Sequence, residues 1–329
     1  MAQPQTQTQC EKIASNTHRK IYPLEFYRAF LDREVRPDGR ALRECRRTEV
    51  RTDCVSTADG SANVRMGATT VLCGIKLEVA APRSPNVKDG FVEISVILSP
   101  LCSASYHSLS LYESDAVSQS AAALSRALCD IVVGSGMFSL SSLCIESERA
   151  VWKLCVDVLC VCDDGNVFDV ALIAVAAALR SLRIPSTVFA KDKKEVLIDD
   201  GSAPYALALS FDLLPLTLAV LDGKLIADPT RDEQSLADDL IRVVLTDKGD
   251  LAHIHKHGKG ASMHSLTHSQ SLKALLAIAA ERAKELKRIL KEACQGTQHV
   301  LQIDFDAVEE KHKEQDEADG DSAIMMNVD

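Results

Sequence analysis

The chain has 329 residues, of which 46% are hydrophobic and only 4% are aromatic, so we expect a core built from aliphatic side chains. Its formal net charge is −10, which argues against a strongly cationic nucleic-acid surface on the free chain, although it leaves room for a local basic patch. The eleven cysteines lie mostly in apolar segments and include no Cys-x-x-Cys pair. This pattern is typical of buried thiols in a reducing compartment rather than of metal or redox sites.

The two ends of the chain differ in composition from its middle. Residues 1–20 are rich in Gln and Thr and predict a disordered leader rather than a signal peptide. Residues 301–329 predict an acidic disordered tail. No apolar run approaches membrane-spanning length, so we expect a cytosolic or nuclear protein with no membrane partner, folded over residues 21–300.

The predicted elements of this middle part begin with a short amphipathic helix at residues 22–33, before the turn at Pro37-Asp38-Gly39. Apolar stripes predict three longer helices, at residues 113–133, 167–182 and 265–294. Strand-like runs lie at residues 48–56, 61–66, 69–79, 91–98, 143–145, 151–162, 187–190, 196–198, 206–214, 216–221, 225–227, 241–246 and 251–255.

The order of these elements predicts the fold class. Asp-Gly turns join the first strands into an antiparallel meander, and strands followed by helices recur along the chain. This order favours an α+β fold over a sheet of alternating parallel strands. We therefore expect one domain made of two similar α+β halves, at about residues 36–185 and 186–295.

Several sequence motifs occur in a fixed order and together carry a family resemblance. They are PLEFYRAFLDREVRPDGR at 23–40, STADGSA at 56–62, GATTV at 67–71, LCGIKLEVAAP at 72–82, LSPLC at 98–102, DDGNVFD at 163–169 and ADPTRDEQSL at 227–236. In this order the motifs resemble the ribonuclease PH family, and within it the ring subunits of the eukaryotic RNA exosome. Each motif alone would be weak, whereas the set covers roughly residues 21–295.

This resemblance implies a structure and a set of partners. The family fold is a duplicated α+β unit, and six such chains form a ring around a central RNA channel. The implied partners are other ribonuclease PH-like ring subunits, S1/KH cap subunits, and RNA passing through the assembled channel. The implied locations are the nucleus, the nucleolus and the cytoplasm.

The resemblance also indicates where a phosphate site would be. Active relatives cradle inorganic phosphate with a Gly-Thr-Arg or Gly-Ser-Arg turn at the start of a helix. Here the matching turn is Gly165-Asn166-Val167-Phe168, so Phe168 stands where a phosphate-binding Arg is expected and the bidentate contact is lost. We expect Asn166 to shape the turn, and Asp169 to add a negative charge close to the phosphate position.

Two further departures concern the remaining charges of the family site. Active members place arginines just before the first long helix, where this chain has Ser110-Leu111-Tyr112-Glu113. Their paired aspartates correspond to Glu233 and Asp239, two residual carboxylates for which we expect no metal without arginine partners. The prediction is a non-catalytic ring subunit without a cofactor. The alternative is an active phosphate-dependent 3'-5' exoribonuclease, and a free-standing RNA-binding module is disfavoured by the acidic pI and the few aromatic residues.

A cluster of histidines leaves one question open. His253, His255 and His257 alternate and should face one side of a strand, which permits metal coordination in principle. We expect a row facing solvent or a subunit, and no metal. The basic edge that includes His255, Lys256 and Lys259 is predicted to contact RNA or a neighbouring subunit, and the sequence does not choose between them.

Overall fold

The computed structural model of the chain describes residues 17, 19–82, 88–103, 106, 111–190, 195–198, 203–258 and 269–295. The predicted acidic tail and all of the predicted leader but residues 17, 19 and 20 therefore lie outside the described residues. No helix in the described ranges is long and apolar enough to cross a membrane.

Five α-helices are formed by the described residues. They are α1 (Pro23–Leu31), α2 (Leu111–Gly134), α3 (Val167–Ser181), α4 (Arg231–Leu236) and α5 (Ser269–Gln295). The strands are β1 (Thr48–Thr52), β2 (Gly60–Met66), β3 (Thr69–Ala80), β4 (Phe91–Leu98), β5 (Cys144–Glu146), β6 (Ala150–Cys162), β7 (Arg183–Ile184), β8 (Thr187–Ala190), β9 (Glu195–Ile198), β10 (Tyr205–Ala206), β11 (Leu213–Leu221), β12 (Lys224–Ala227), β13 (Asp239–Thr246) and β14 (Leu251–Gly258).

Two larger sheets organise the molecule. The N-terminal sheet has the strand order β1-β2-β3-β6-β4, with β5 paired to β6, and the predicted meander β1-β2-β3 is antiparallel. Strand β4 runs parallel to β6 because α2 carries the chain back between them. The C-terminal sheet is an antiparallel array in the order β12-β11-β13-β14. Two further pairs, β7 with β10 and β8 with β9, are short.

Helix α3 is the centre of the core. It contacts β2 and β3 of the N-terminal sheet and β11 of the C-terminal sheet, so nearly every side chain from Phe168 to Leu179 is buried. This burial on all sides explains its almost continuous apolar sequence. One hydrophobic cluster joins both halves, since it includes residues of β3, β6, α3, β11 and α5.

The largest differences from the sequence predictions concern β10, β11 and α4. The strand expected at 206–214 is replaced by the two-residue β10 and the start of β11, and β11 runs through Pro215. Pairing with β12 begins at Leu218, so Pro215 has a ladder neighbour only on the β13 side. A proline is tolerated there because the other side of the strand has no ladder that needs its N–H. Helix α4 was not predicted because it has one and a half turns, although Thr230 and Glu233 form a capping box at its start.

Candidate functional site

The turn between β6 and α3 is built around two residues with positive φ. Gly165 has φ +88°, and a Cβ placed on it would lie 2.4 Å from the backbone N of Arg231. Asn166 follows with φ +59° and leads directly into α3. Only glycine fits the first position, because both the left-handed conformation and the close approach of the Thr230–Arg231 backbone exclude a side chain.

A network of buried charges holds this turn from the inside, and we call it the inner network: Arg46, Asn166, Asp169, Thr217 and Asp228. The Arg46 guanidinium donates to both carboxylate oxygens of Asp228, with Nε–Oδ2 2.9 Å and Nη2–Oδ1 2.8 Å. It also donates to the carbonyl oxygen of Gly165 at 3.1 Å. The Asn166 amide donates to Asp169 Oδ2 at 2.8 Å and to Asp228 Oδ1 at 2.9 Å. Asn166 therefore shapes the turn by bridging two carboxylates.

The two carboxylates of the inner network have opposite pKa shifts. Burial raises the pKa of Asp169 to about 6, against the opposing effect of its hydrogen bonds from Thr217 and Asn166. For Asp228, burial is outweighed by the hydrogen bonds and charge of Arg46, which hold its pKa at about 2. Asp169 is 2% exposed and accepts from Thr217 N and Oγ1, each at 2.7 Å. The carboxylate of Asp169 is therefore directed towards β11 in the core.

On the other side of the α3 start lies an open cavity of about 700 Å³. Its walls are α2, the beginnings of α3 and α4, and one face of β13 and β14. We call it the histidine cavity, after the polar and aromatic side chains that line it: Tyr106, Asp163, Phe168, Arg231, Arg242, His253, His255 and His257.

Two of the three arginines that line the histidine cavity, Arg231 and Arg242, have different surroundings. Arg231 lies 3.2 Å from Asp163 and its guanidinium is 4.8 Å from the ring centroid of Tyr106. Its charge is therefore compensated. Arg242 instead lies over Phe168, with 4.7 Å between guanidinium carbon and ring centroid. Burial lowers the pKa of Arg242, with the charge of Asp169 acting in the opposite direction.

The histidine row faces the same cavity. The rings of His253 and His255 are stacked, with centroids 6.4 Å apart and planes 9° from parallel. His255 is directly opposite Arg242 in the β13–β14 register, so the two side chains share one face of the sheet. Burial, together with the charges of His255 and Arg242, lowers the pKa of His253. In the described part of the chain, no group of three or more His, Cys, Asp or Glu side chains is arranged to hold a metal ion.

The two residual carboxylates, Glu233 and Asp239, point away from the histidine cavity. Glu233 is buried against Arg36, which donates from Nε to Oε1 at 2.9 Å, and it caps α4 by accepting from Thr230 N at 2.7 Å. Asp239 is buried beside Lys256, with 3.0 Å between Nζ and Oδ2. Each carboxylate belongs to a buried ion pair within the fold.

The remaining predicted site residues are divided by the structure. Lys256 pairs with Asp239 on the face of β14 opposite to His255, so the two do not form one basic surface. Lys259, Ser110 and the side chains of residues 111–113 lie outside the described residues. Sequence reasoning missed Arg231 and Arg242. The signal for Arg242 was its position as the one cation of β13, between Ile241 and Val243.

Comparisons with known proteins agree with this architecture. The family model for the 3' exoribonuclease family matches as domain 1 over residues 44–185 and as domain 2 over residues 215–282. The chain is 33% identical over 240 residues to exosome complex component rrp43 of Schizosaccharomyces pombe, covering 73% of this chain and 86% of that protein. It is 30% identical over 256 residues to exosome complex component Rrp42 of Methanopyrus kandleri, covering 78% and 91% of the two chains.

Solved structures give the same fold. A chain of the Archaeoglobus fulgidus exosome with RNA bound to the active site superposes with a TM-score of 0.68 at 24% identity, over 84% of this chain and 98% of that one. A chain of an archaeal exosome core gives a TM-score of 0.66. The predicted α+β class and the family resemblance are thus confirmed: the chain belongs to the ribonuclease PH-like 3' exoribonuclease family.

Proposed function

We propose that this chain is a non-catalytic structural subunit of the RNA exosome ring, which supports 3'-to-5' RNA processing and degradation, including rRNA maturation and mRNA turnover, by associated nucleases. Its partners are other ribonuclease PH-like ring subunits, S1/KH cap subunits, and RNA through the assembled channel. Its locations are the nucleus, the nucleolus and the cytoplasm. The relatives named as exosome components support this assignment.

The arrangement around Phe168 is the observation that supports the absence of catalysis. Phosphorolysis needs cations that bind inorganic phosphate beside the scissile bond, and carboxylates that can hold a divalent metal. Here the turn presents the aromatic ring of Phe168, and the guanidinium of Arg242 lies over that ring. Glu233 and Asp239 are each used by a buried cation, Arg36 and Lys256 respectively.

The alternative of an active exoribonuclease is favoured by one observation, the presence of Arg231 and Arg242 in the histidine cavity. Arg231 pairs with Asp163, and Arg242 makes no ion pair among the described residues. Two arginines without a metal-binding carboxylate pair supply electrostatic attraction for an anion but not the activation of phosphate as a nucleophile.

The test is incubation of the full recombinant chain with single-stranded RNA, inorganic phosphate and magnesium, with an active family member as positive control. We expect no nucleoside diphosphates, as measured by chromatography. Phosphate-dependent release by the wild-type chain that disappears in Arg242→Gln would contradict the proposal. Co-expression with ring subunits, followed by native mass spectrometry, tests the structural role, for which we expect one copy of the chain per ring.

A further inference from the structure

We propose that the histidine cavity binds the phosphate group of a nucleotide or of an RNA strand without cleaving it, held by Arg242 together with His253 and His255. These donors come from β13 and β14 and not from the turn at the start of α3. The proposal rests on the proposed function, because it assigns to an inert subunit a binding site in place of a catalytic one.

The first observation is the state of the Arg242 guanidinium. It makes no ion pair or hydrogen bond within the described residues, whereas the other arginine of the cavity with described contacts, Arg231, is paired with Asp163. Partial burial of a guanidinium without a paired anion costs free energy. The guanidinium lies over the Phe168 ring at 4.7 Å, a contact that restrains it without using any of its N–H donors. A phosphate group fits the planar fork of guanidinium donors.

The second observation is the histidine pair beside it. The rings of His253 and His255 are stacked on the same face of the sheet as Arg242. The other charged groups that face the cavity are Arg126 and Asp130 on α2, and Arg231 and Asp163 at the α4 side. Three arginines against two aspartates leave a positive surplus even with the histidines neutral. Protonation of the histidines adds further charged donors.

The size and the walls of the cavity indicate the kind of ligand. About 700 Å³ is enough for a nucleotide. Helix α2 contributes four apolar side chains to the cavity besides the charged Arg126 and Asp130: Ala123, Leu124, Ala127 and Ile131. A base or ribose can pack on these apolar side chains while the phosphate reaches the cations of β13 and β14. A cavity with both cationic and apolar side chains suits a nucleotide better than a small inorganic anion.

The binding test uses the full chain with a fluorescent oligouridylate, whose diester charge and bases do not titrate near neutral pH, followed by anisotropy. We expect Arg242→Gln to weaken binding about tenfold or more, as for loss of a charge-assisted hydrogen bond. The matched control is Arg47→Gln, which removes the same charge from a side chain that is 87% exposed and outside the cavity. Equal affinities of Arg242→Gln and Arg47→Gln would overturn the proposal. If Arg242→Gln does not fold, Arg242→Lys takes its place, because it keeps the charge but loses the planar set of guanidinium donors.

A second measurement follows the affinity from about pH 8 to about pH 6. We expect the wild type to bind several-fold more tightly at the lower pH, and the variant carrying both His253→Gln and His255→Gln to show no such change. If the affinity of the double variant rises at low pH as much as that of the wild type, the two histidines do not hold the phosphate group. Competition with uridine monophosphate and with inorganic phosphate then shows whether the cavity recognises a whole nucleotide or the phosphate group alone. Displacement by the mononucleotide supports a single-nucleotide site, whereas no displacement by either means that the cavity does not recognise a phosphate group and overturns the proposal.

These results are independent of the phosphorolysis assay. If the chain releases nucleoside diphosphates, the proposed function fails while the binding site can stand. If Arg242→Gln and Arg47→Gln bind alike and no product forms, the site fails and the structural role stands.

Discussion

The two sides of the N-terminus of α3 are built in opposite ways. On the inner side, Arg46, Asn166, Asp169 and Asp228 form a buried network in which each full charge has a partner. On the cavity side, Arg242 and the histidines face open space, and Arg242 has no anionic partner among the described residues. One set of residues thus holds the turn, and a different set faces the cavity. The shape of a site and the groups that face its cavity can therefore vary independently of each other.

Gly165→Val should have the largest effect, because it places a branched side chain against the Thr230–Arg231 backbone at φ +88°. We expect a loss of about 4 kcal/mol or more in the free energy of unfolding, measured by urea denaturation. Gly223→Val is the control, since Gly223 also has positive φ (+74°) but no atom within 4 Å of the position that a Cβ would take. It should cost only about 1–2 kcal/mol. Equal losses would mean that the close approach at Gly165 does not matter.

Arg46→Met tests the inner network directly. It leaves the buried carboxylate of Asp228 with one remaining ion pair among the described residues, the longer contact to Arg40 Nη1 at 3.3 Å, so we expect a loss of about 3 kcal/mol in unfolding free energy. The matched control is Arg28→Met, which removes an arginine from an exposed pair with Asp222 and should leave the stability almost unchanged. If the two variants lose the same stability, the network is not the part of the site that holds the turn.

The pH dependence of stability should separate the two buried carboxylates. The pKa of Asp228 is held at about 2 in the folded state, below its unfolded value, so its contribution is present above about pH 4 and is lost as the pH falls towards 2. The pKa of Asp169 is raised to about 6, so its contribution is present below about pH 4 and is lost as the pH rises through 6.

The difference in unfolding free energy between Asp169→Asn and the wild type should therefore depend on pH. From about pH 4 to about pH 7 it should shift by on the order of 2 kcal/mol in favour of the variant. Denaturation curves at several pH values measure this difference. Any fixed cost of replacing one carboxylate oxygen by an amide group is the same at every pH and shifts the whole curve. Parallel pH profiles for variant and wild type would show that burial does not raise the pKa of Asp169.

Arg242→Met should have the smallest effect and sharpens the contrast with Arg46. Since Arg242 has no carboxylate partner among the described residues and its charge is partly desolvated, a methionine that still covers Phe168 should leave the unfolding free energy within about 1 kcal/mol of the wild type. Thermal denaturation is the measurement. A loss as large as that of Arg46→Met would mean that the cation on the cavity side is structural.

Much of the local structure followed from the sequence. Alternation of polar and apolar residues placed β2, β3, β4 and β6 within one or two residues, because one or both faces of each strand are buried and the period is then strict. The continuous apolar run at 167–182 predicted a helix buried on all sides. The Gly165–Phe168 turn was located by family motif, and Gly165 by its expected backbone conformation.

Only the tertiary structure decided where the charged side chains of the site point. The sequence joined Lys256 to His255, yet the fold separates them across the strand. No local pattern indicated that Asp169 accepts hydrogen bonds from Thr217. The fold also brought Arg242 onto Phe168, two residues 74 positions apart in a sequence that contains no local signal for the contact. Local patterns are set by which faces are buried, and a sequence records these directly. The direction of a polar side chain depends on partners supplied by distant segments, so it emerges only when the two sheets close around α3.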